Sequence, residues 1–444
     1  MARRLQLGDP DGHLRRALGH FPFPEVADRI LEQYFIPGGK PLHDPFKLQH
    51  MPGVTPDTAL TELTVAANFV EVYLAKEGHS GPVGINFLEK IQYPTLPSLY
   101  GAMLAGVDYV LMGAGIPRFI PGILDDLSNG QPTTLRIDVS GLAAGEQVVC
   151  GFDPRACFGA SPPLRRPHFL AIVSSAVLAA TLERKSTGRV DGFVIEGASA
   201  GGHNAPPRGP MTRNERGEPV YGERDVPDLA RFREIGVPFW LAGSYGEAGK
   251  LAHAISLGAN GIQVGTAFAF CKESGLDPEL KRQVLRLAIS GDLDVLTDPM
   301  ASPTGFPFKV VQVDGSLSAA TEYERRRRGC DLGYLRTAYR GLDGSTGYRC
   351  PAEPAVQYVS KGGNEADTCG RKCLCNALLA AIGLGQVRAD GSTELPIVTA
   401  GESARWLSRL LADDRLSYSA SDVIRVLISE SPVALAGVER TTPA

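Results

Sequence analysis

The chain has 444 residues, 43% hydrophobic and 21% charged, with a formal net charge of −4 and a pI near 6.1. That length holds one large domain or a barrel with an extension, and the nearly balanced charge gives nothing that points to nucleic acid. No apolar run approaches the ~20 residues needed to span a bilayer, and the first ten residues lack the apolar core of a signal peptide, so the default location is cytoplasmic, where the eight cysteines stay mostly reduced.

Residues 1–44 show little periodicity and several Pro and Gly, and read as an arm packed on a larger body. Residues 46–50 suit a first strand. A helix follows over 57–67, with Thr55 or Asp57 as its N-cap. Residues 69–74 alternate with period two and suit a second strand. Residues 83–88 form a third, a helix covers 98–105, and 109–112 form a fourth. Two stretches compete for the fifth strand, 135–139 and 168–174. The second leads into a helix at 177–184 and then a strand at 191–196, which is the β-α-β rhythm of a parallel sheet. The first, with 146–151, is then an inserted hairpin. A long loop spans 204–224, and a helix runs from 225 to 235. Strands at 237–242 and 261–265, with a helix over 247–257 between them, bring the count to eight.

The expected fold is therefore α/β: a (β/α)8 TIM barrel over 45–312 with an inserted hairpin. A mixed or helical C-terminal extension covers 313–444, with helices near 376–382, 402–411 and 421–428. The arginine run at 325–328 reads as a solvated face.

Chemistry concentrates where the late strands end. Strand 191–196 runs into Glu196-Gly197-Ala198-Ser199-Ala200-Gly201-Gly202-His203. Small residues let backbone approach a ligand closely, and an imidazole stands at the end of that approach. The next two strands end in Gly243-Ser244 and Gly265-Thr266. Backbone N–H groups there, beside a helix start, make a phosphate cradle, and barrel enzymes commonly bind phosphate after strands seven and eight.

Three motifs in register, Gly-Ala-Ser-Ala-Gly-Gly-His at 197–203, Leu-Ala-Gly at 241–243 and Gln-Val-Gly-Thr-Ala-Phe at 263–268, resemble the FMN-dependent nitronate monooxygenases. That family is related to the FMN-dependent enoyl-acyl-carrier-protein reductases. The resemblance covers roughly residues 45–310 and includes the segment 301–309. It implies FMN held by Gly201, Gly202, Gly243, Ser244, Gln263, Gly265 and Thr266, with Gln49 and Asn86 meeting the flavin ring. It implies His203 as the general base: a neutral imidazole can take a proton from an activated carbon near neutral pH. The substrate class implied is a nitronate or similar carbanion, oxidised with dioxygen. Two alternatives stay open: an NAD(P)H-dependent enoyl-thioester reductase, which would meet an acyl-carrier partner, and a catalytically silent flavin-binding module. A homo-oligomer is compatible with each. The chain departs from the family pattern at Ser244, where a second glycine is usual. It departs again at His50-Met51-Pro52, and in the lack of Ala-Gly-Gly after the second strand.

The loop 204–224 is long enough to serve as a lid over the substrate. Cys369, Cys373 and Cys375 are spaced C-x3-C-x-C, with Cys330 and Cys350 upstream; the spacing matches no common zinc or iron–sulfur site, and no metal ligand is assigned. No G-x-G-x-x-G stands in a βαβ context, so no dedicated nicotinamide domain is expected.

Overall fold

The computed structural model describes residues 1–411 and 416–429. Its centre is a six-stranded sheet of Gly84–Leu88, Tyr109–Gly113, His168–Val173, Gly192–Glu196, Phe239–Ala242 and Gly261–Gln263. The strands lie side by side in chain order, and every pairing is parallel. Helices connect them, as parallel pairing requires. The strand Gly192–Glu196 is buried along almost its whole length, which explains its continuous apolar run. The fold class is thus α/β with a parallel sheet, built from strands three to eight of the sequence reading.

The two strands that would complete eight do not form. Residues 69–74, expected as a strand, continue the helix Thr58–Lys76. Asp57 caps it, accepting a hydrogen bond from Leu60 N–H at 2.8 Å. The alternation at 69–74 lasts only six residues, whereas Leu63, Ala66, Phe69 and Val70 fall at helical spacing and are all buried. This helix packs on Thr95–Leu104, where a Cβ at Gly101 would sit 2.1 Å from the Val65 carbonyl oxygen. The close approach therefore demands glycine. Residues 46–50, expected as a strand, form none and pair with no strand among the described residues. Gln386 of the extension takes that place, accepting from Phe46 N–H at 2.7 Å and donating to its carbonyl at 3.1 Å.

The inserted hairpin is present as Thr133–Ile137 paired antiparallel with Val148–Phe152. The arm is more ordered than its composition implied. It forms the helices Ala2–Gln6, His13–Leu18 and Pro24–Tyr34 and buries Leu5, Leu14, Leu18 and Ile30. No helix among the described residues is long and apolar enough to cross a membrane.

The extension is not a loose appendage. Its strand Thr337–Arg340 pairs with Val139–Ser140 beside the hairpin. Arg3 reaches it through Asp331 and the Leu384 carbonyl. The helices near 376–382 and 421–428 appear as Leu374–Ala380 and Ala420–Ile428, while Glu402–Leu410 is a 3-10 run. The arginine run is not a solvated face throughout. Arg326 buries its guanidinium against Glu394, and Arg328 bonds Tyr323 and the Thr368 carbonyl.

Candidate active site

The carboxyl ends of the last three sheet strands open into one cavity of about 300 Å³. Gly201, Gly202, Gly243, Ser244, Gln263, Gly265 and Thr266 all line it, together with Glu196 and residues 399–401 of the extension. Seven of the nine residues assigned to a cofactor from sequence therefore meet in one place. The backbone explains the composition. Gly202 and Gly243 have φ of +79° and +89°, and Ser244 has +59°. A left-handed backbone at Ser244 is where glycine is the unstrained choice. Among the described residues, the backbone N–H groups of Ser244, Gly265 and Thr266 make no hydrogen bond. Three free donors in one concave wall form an anion site.

The glycines divide into two jobs. A Cβ at Gly265 would meet nothing within 4 Å, so that position faces open space. A Cβ at Gly201 would meet Gly401 N at 2.8 Å and Ala400 C at 2.9 Å. Gly201 thus admits a strap from the extension at the cavity wall. The strap is fastened at several points. Gly202 N–H donates to Thr399 Oγ1 and Gly401 N–H to Thr266 Oγ1, both at 2.9 Å. Glu402 N–H donates to the Ser199 carbonyl at 3.0 Å. Buried Lys309 holds Glu402 at 2.8 Å and Thr297 Oγ1 at 2.7 Å. Nothing local in the sequence announces this wall, because it comes from residues more than a hundred positions downstream.

His203 lies beside the cavity and not in its lining. Its Nε2 is 2.7 Å from Ser302 Oγ, which is 2.8 Å from Thr304 Oγ1. Its ring packs edge-on against Phe308 at 4.8 Å. Burial pushes its pKa down to about 4, so the imidazole is neutral at pH 7. Asn86 stands opposite Leu111 in register and shares the sheet face with Val194 and Ala242, but lies outside the cavity. Gln49 is turned elsewhere, donating to Tyr334 Oη at 2.8 Å.

Glu196 is the titratable group that sequence reasoning passed over. It ends its strand, shares a face with Val194 by period-two alternation, and lines the cavity. Among the described residues its carboxyl has no hydrogen-bond or ion-pair partner. Burial pushes its pKa up to about 8, so it is a neutral acid at pH 7. A charged residue closing an apolar strand at the carboxyl edge of a sheet was the available signal.

This has a measurable consequence. The folded state keeps the Glu196 proton to higher pH than the unfolded chain, whose glutamate ionises near 4.5. Its contribution to stability is full below about 4.5 and is lost as pH rises through about 8. Glu196→Gln removes the loss, so the variant should gain on the parent with rising pH, by up to about 5 kcal/mol by about pH 9. Denaturant unfolding at about pH 5 and about pH 9 measures the gap; a gap independent of pH would contradict the burial of this carboxyl.

The loop 204–224 folds back on the body. Arg216 bonds both Asp294 oxygens at 2.9 and 2.7 Å, and Glu218 accepts from Thr297 N–H at 2.9 Å.

Comparison with known proteins agrees with the motif reading. Residues 148–297 match the family model for nitronate monooxygenase. A probable nitronate monooxygenase from Staphylococcus haemolyticus (strain JCSC1435) is 34% identical over 98 residues, covering 22% of this chain and 26% of that protein. One from Bacillus subtilis (strain 168) is 34% identical over 97 residues, with the same coverage. The match thus spans about a quarter of the length of these relatives. Among solved structures, FabK from Thermotoga maritima aligns at 16% identity and a TM-score of 0.45, covering 84% of this chain and 83% of FabK. The enoyl reductase domain of MlnA, from the macrolactin biosynthesis cluster of Bacillus amyloliquefaciens, aligns at 13% identity and 0.47, covering 85% and 87%.

Proposed function

We propose that the chain is an FMN-dependent oxidoreductase of the nitronate monooxygenase type, acting on a small carbon acid or its nitronate with dioxygen as final acceptor. The observation that carries this reading is the group of free backbone donors at Ser244, Gly265 and Thr266, on adjacent strand ends, around open space that a Cβ at Gly265 would enter. Those groups, with Thr266 Oγ1 and the Gly243 turn, would hold the FMN phosphate. FMN, when bound, supplies the two-electron acceptor that no side chain can provide.

The protein's own part is binding, orientation and proton handling. The wall at 399–401 closes the phosphate end of the cavity. Glu196, uncharged at pH 7, does not repel a phosphate dianion. Asn86 offers an amide on the same sheet face for the flavin ring. His203 takes the substrate proton. Ser302 fixes its Nε2, and Nδ1 has no partner among the described residues, so the nitrogen available as base is Nδ1.

The test is anaerobic mixing of the flavin-loaded protein with an alkyl nitronate, with NAD(P)H and with an enoyl thioester plus NAD(P)H. Bleaching by the nitronate alone is expected. Bleaching by NAD(P)H and not by nitronate would replace this reading with the reductase, and bleaching by none would leave a binding module.

A further inference from the structure

Four cysteines of the extension, Cys330, Cys350, Cys373 and Cys375, meet beside the mouth of the sheet. Cys350 and Cys373 are buried together around Ala352, and Cys375 packs against them. Cys330 is near enough to act electrostatically on all three. All four are free thiols. Cys375 also packs in the cluster that includes Leu88 and Ile91, at the carboxyl end of the first sheet strand.

A second observation concerns charge. The Arg326 side chain is only 5% exposed and lies beside Cys373. Its Nε bonds Glu394, while Nη1 and Nη2 are buried with no hydrogen-bond partner among the described residues. Unpaired buried donors of a charged group are costly and call for an acceptor. Asn376 Nδ2 adds a donor at 3.6 Å from the Cys373 sulfur. As free thiols these groups are uncharged and offer Arg326 no negative charge. Thiolates bound to iron would offer it.

Among the described residues, no three His, Cys, Asp or Glu side chains close around a single ion-sized position. A lone zinc needs its sulfurs at about 2.3 Å from one point. A cluster, whose cysteines hold different irons, accepts a wider set. We propose that Cys330, Cys350, Cys373 and Cys375 ligate an iron–sulfur cluster, with Arg326 balancing its negative charge. Each cysteine forms one S–Fe bond and releases its proton to solvent; iron enters as ferric ion and the bridging sulfur as inorganic sulfide, and for a four-iron cluster half of the iron is first reduced to ferrous by the thiol reductant, which is oxidised to its disulfide. The exposed Cys369 and the distant Cys150, Cys157 and Cys271 take no part. The site stands independently of the FMN cradle, so either can fail alone.

The experiment is anaerobic incubation of the full chain with ferric iron, sulfide and a thiol reductant. Iron and acid-labile sulfide are then assayed, and electron paramagnetic resonance is recorded after dithionite reduction. Equal iron and sulfide, about two or about four of each per chain, are expected, with a paramagnetic signal on reduction. Cys373→Ser and Cys375→Ser should each lose most of this iron, and Cys369→Ser should keep it. Arg326→Gln should move the reduction midpoint to a more negative value. Should the serine variants fail to fold, the stoichiometry of the parent protein decides. Binding of zinc without sulfide, or no uptake of iron, would overturn the proposal, as would full uptake by folded Cys373→Ser and Cys375→Ser.

Discussion

Replacing His203 by Asn should slow flavin reduction by a neutral nitroalkane by about 10²–10⁴-fold, the usual contribution of a positioned general base, while flavin remains bound. Occupancy should survive because His203 stands outside the cavity lining. The pH profile carries a further signature. A base with an ordinary histidine pKa loses activity as pH falls through about 6.5. His203, held down to about 4 by burial, stays neutral across that range. Reduction by a nitronate, already deprotonated, and by its parent nitroalkane should then diverge. The parent needs the base and should lose rate in the variant, with a parent-enzyme profile flat from about pH 7 to about pH 5; the nitronate should be far less affected. Single-turnover absorbance at both pH values checks this. Equal rates in variant and parent enzyme would leave His203 as a packing residue for Phe308 and Ser302.

Gly265→Val should abolish tight FMN binding, raising Kd by at least about 10²-fold, because a branched side chain would fill the cradle and mask its N–H donors. The fold should tolerate it. A Cβ there meets nothing within 4 Å, and φ is not in the left-handed region. A control comes from Gly201→Val, whose Cβ would strike the backbone of residues 400–401. That variant should lose thermal stability and displace the strap. Fluorescence titration of apoprotein with FMN, beside a thermal melt, separates the two. Normal FMN affinity in Gly265→Val would move the phosphate elsewhere.

The sheet and the site differ in how far the sequence disclosed them. Strands 168–173, 192–196 and 239–242 were legible because each is a short apolar run bounded by Gly, Asp or Ser and alternating with helix patterns along the chain. The hairpin at 133–152 was legible because only one of two candidates for a fifth strand kept the β-α-β rhythm. The error at 69–74 has a plain cause. Val70, Val72 and Leu74 fit period two, but Phe69 and Val70 also continue the helical stripe from Leu63 and Ala66. Six residues cannot arbitrate, and tertiary packing on Gly101 did. Without that strand, residues 46–50 had no partner, and Gln386 supplied one.

The cradle at 243–244 and 265–266 was visible because adjacent strands in an ordered sheet place their ends together. Glu196 was missed beside more conspicuous glycines. The strap at 399–401 was invisible for a different reason. It is assembled by the extension folding back over more than a hundred residues of chain, and no local spacing encodes that return; the cysteines were visible as residues, but their spacing matches no common site. Arg326 shows the same limit: within a run of four arginines nothing marks the one that turns inward.

The central claim is that the cavity at Ser244, Gly265 and Thr266 holds the phosphate of a mononucleotide flavin. The most direct measurement is titration of the flavin-free protein with FMN, riboflavin and FAD, following quenching of flavin fluorescence. FMN should bind at one site per chain, and riboflavin, lacking the phosphate, should bind at least about 10²-fold more weakly. FMN binding should also weaken above about pH 8, as Glu196 in the same cavity ionises against the phosphate. Equal affinity for riboflavin and FMN, or no flavin binding at all, would contradict the assignment.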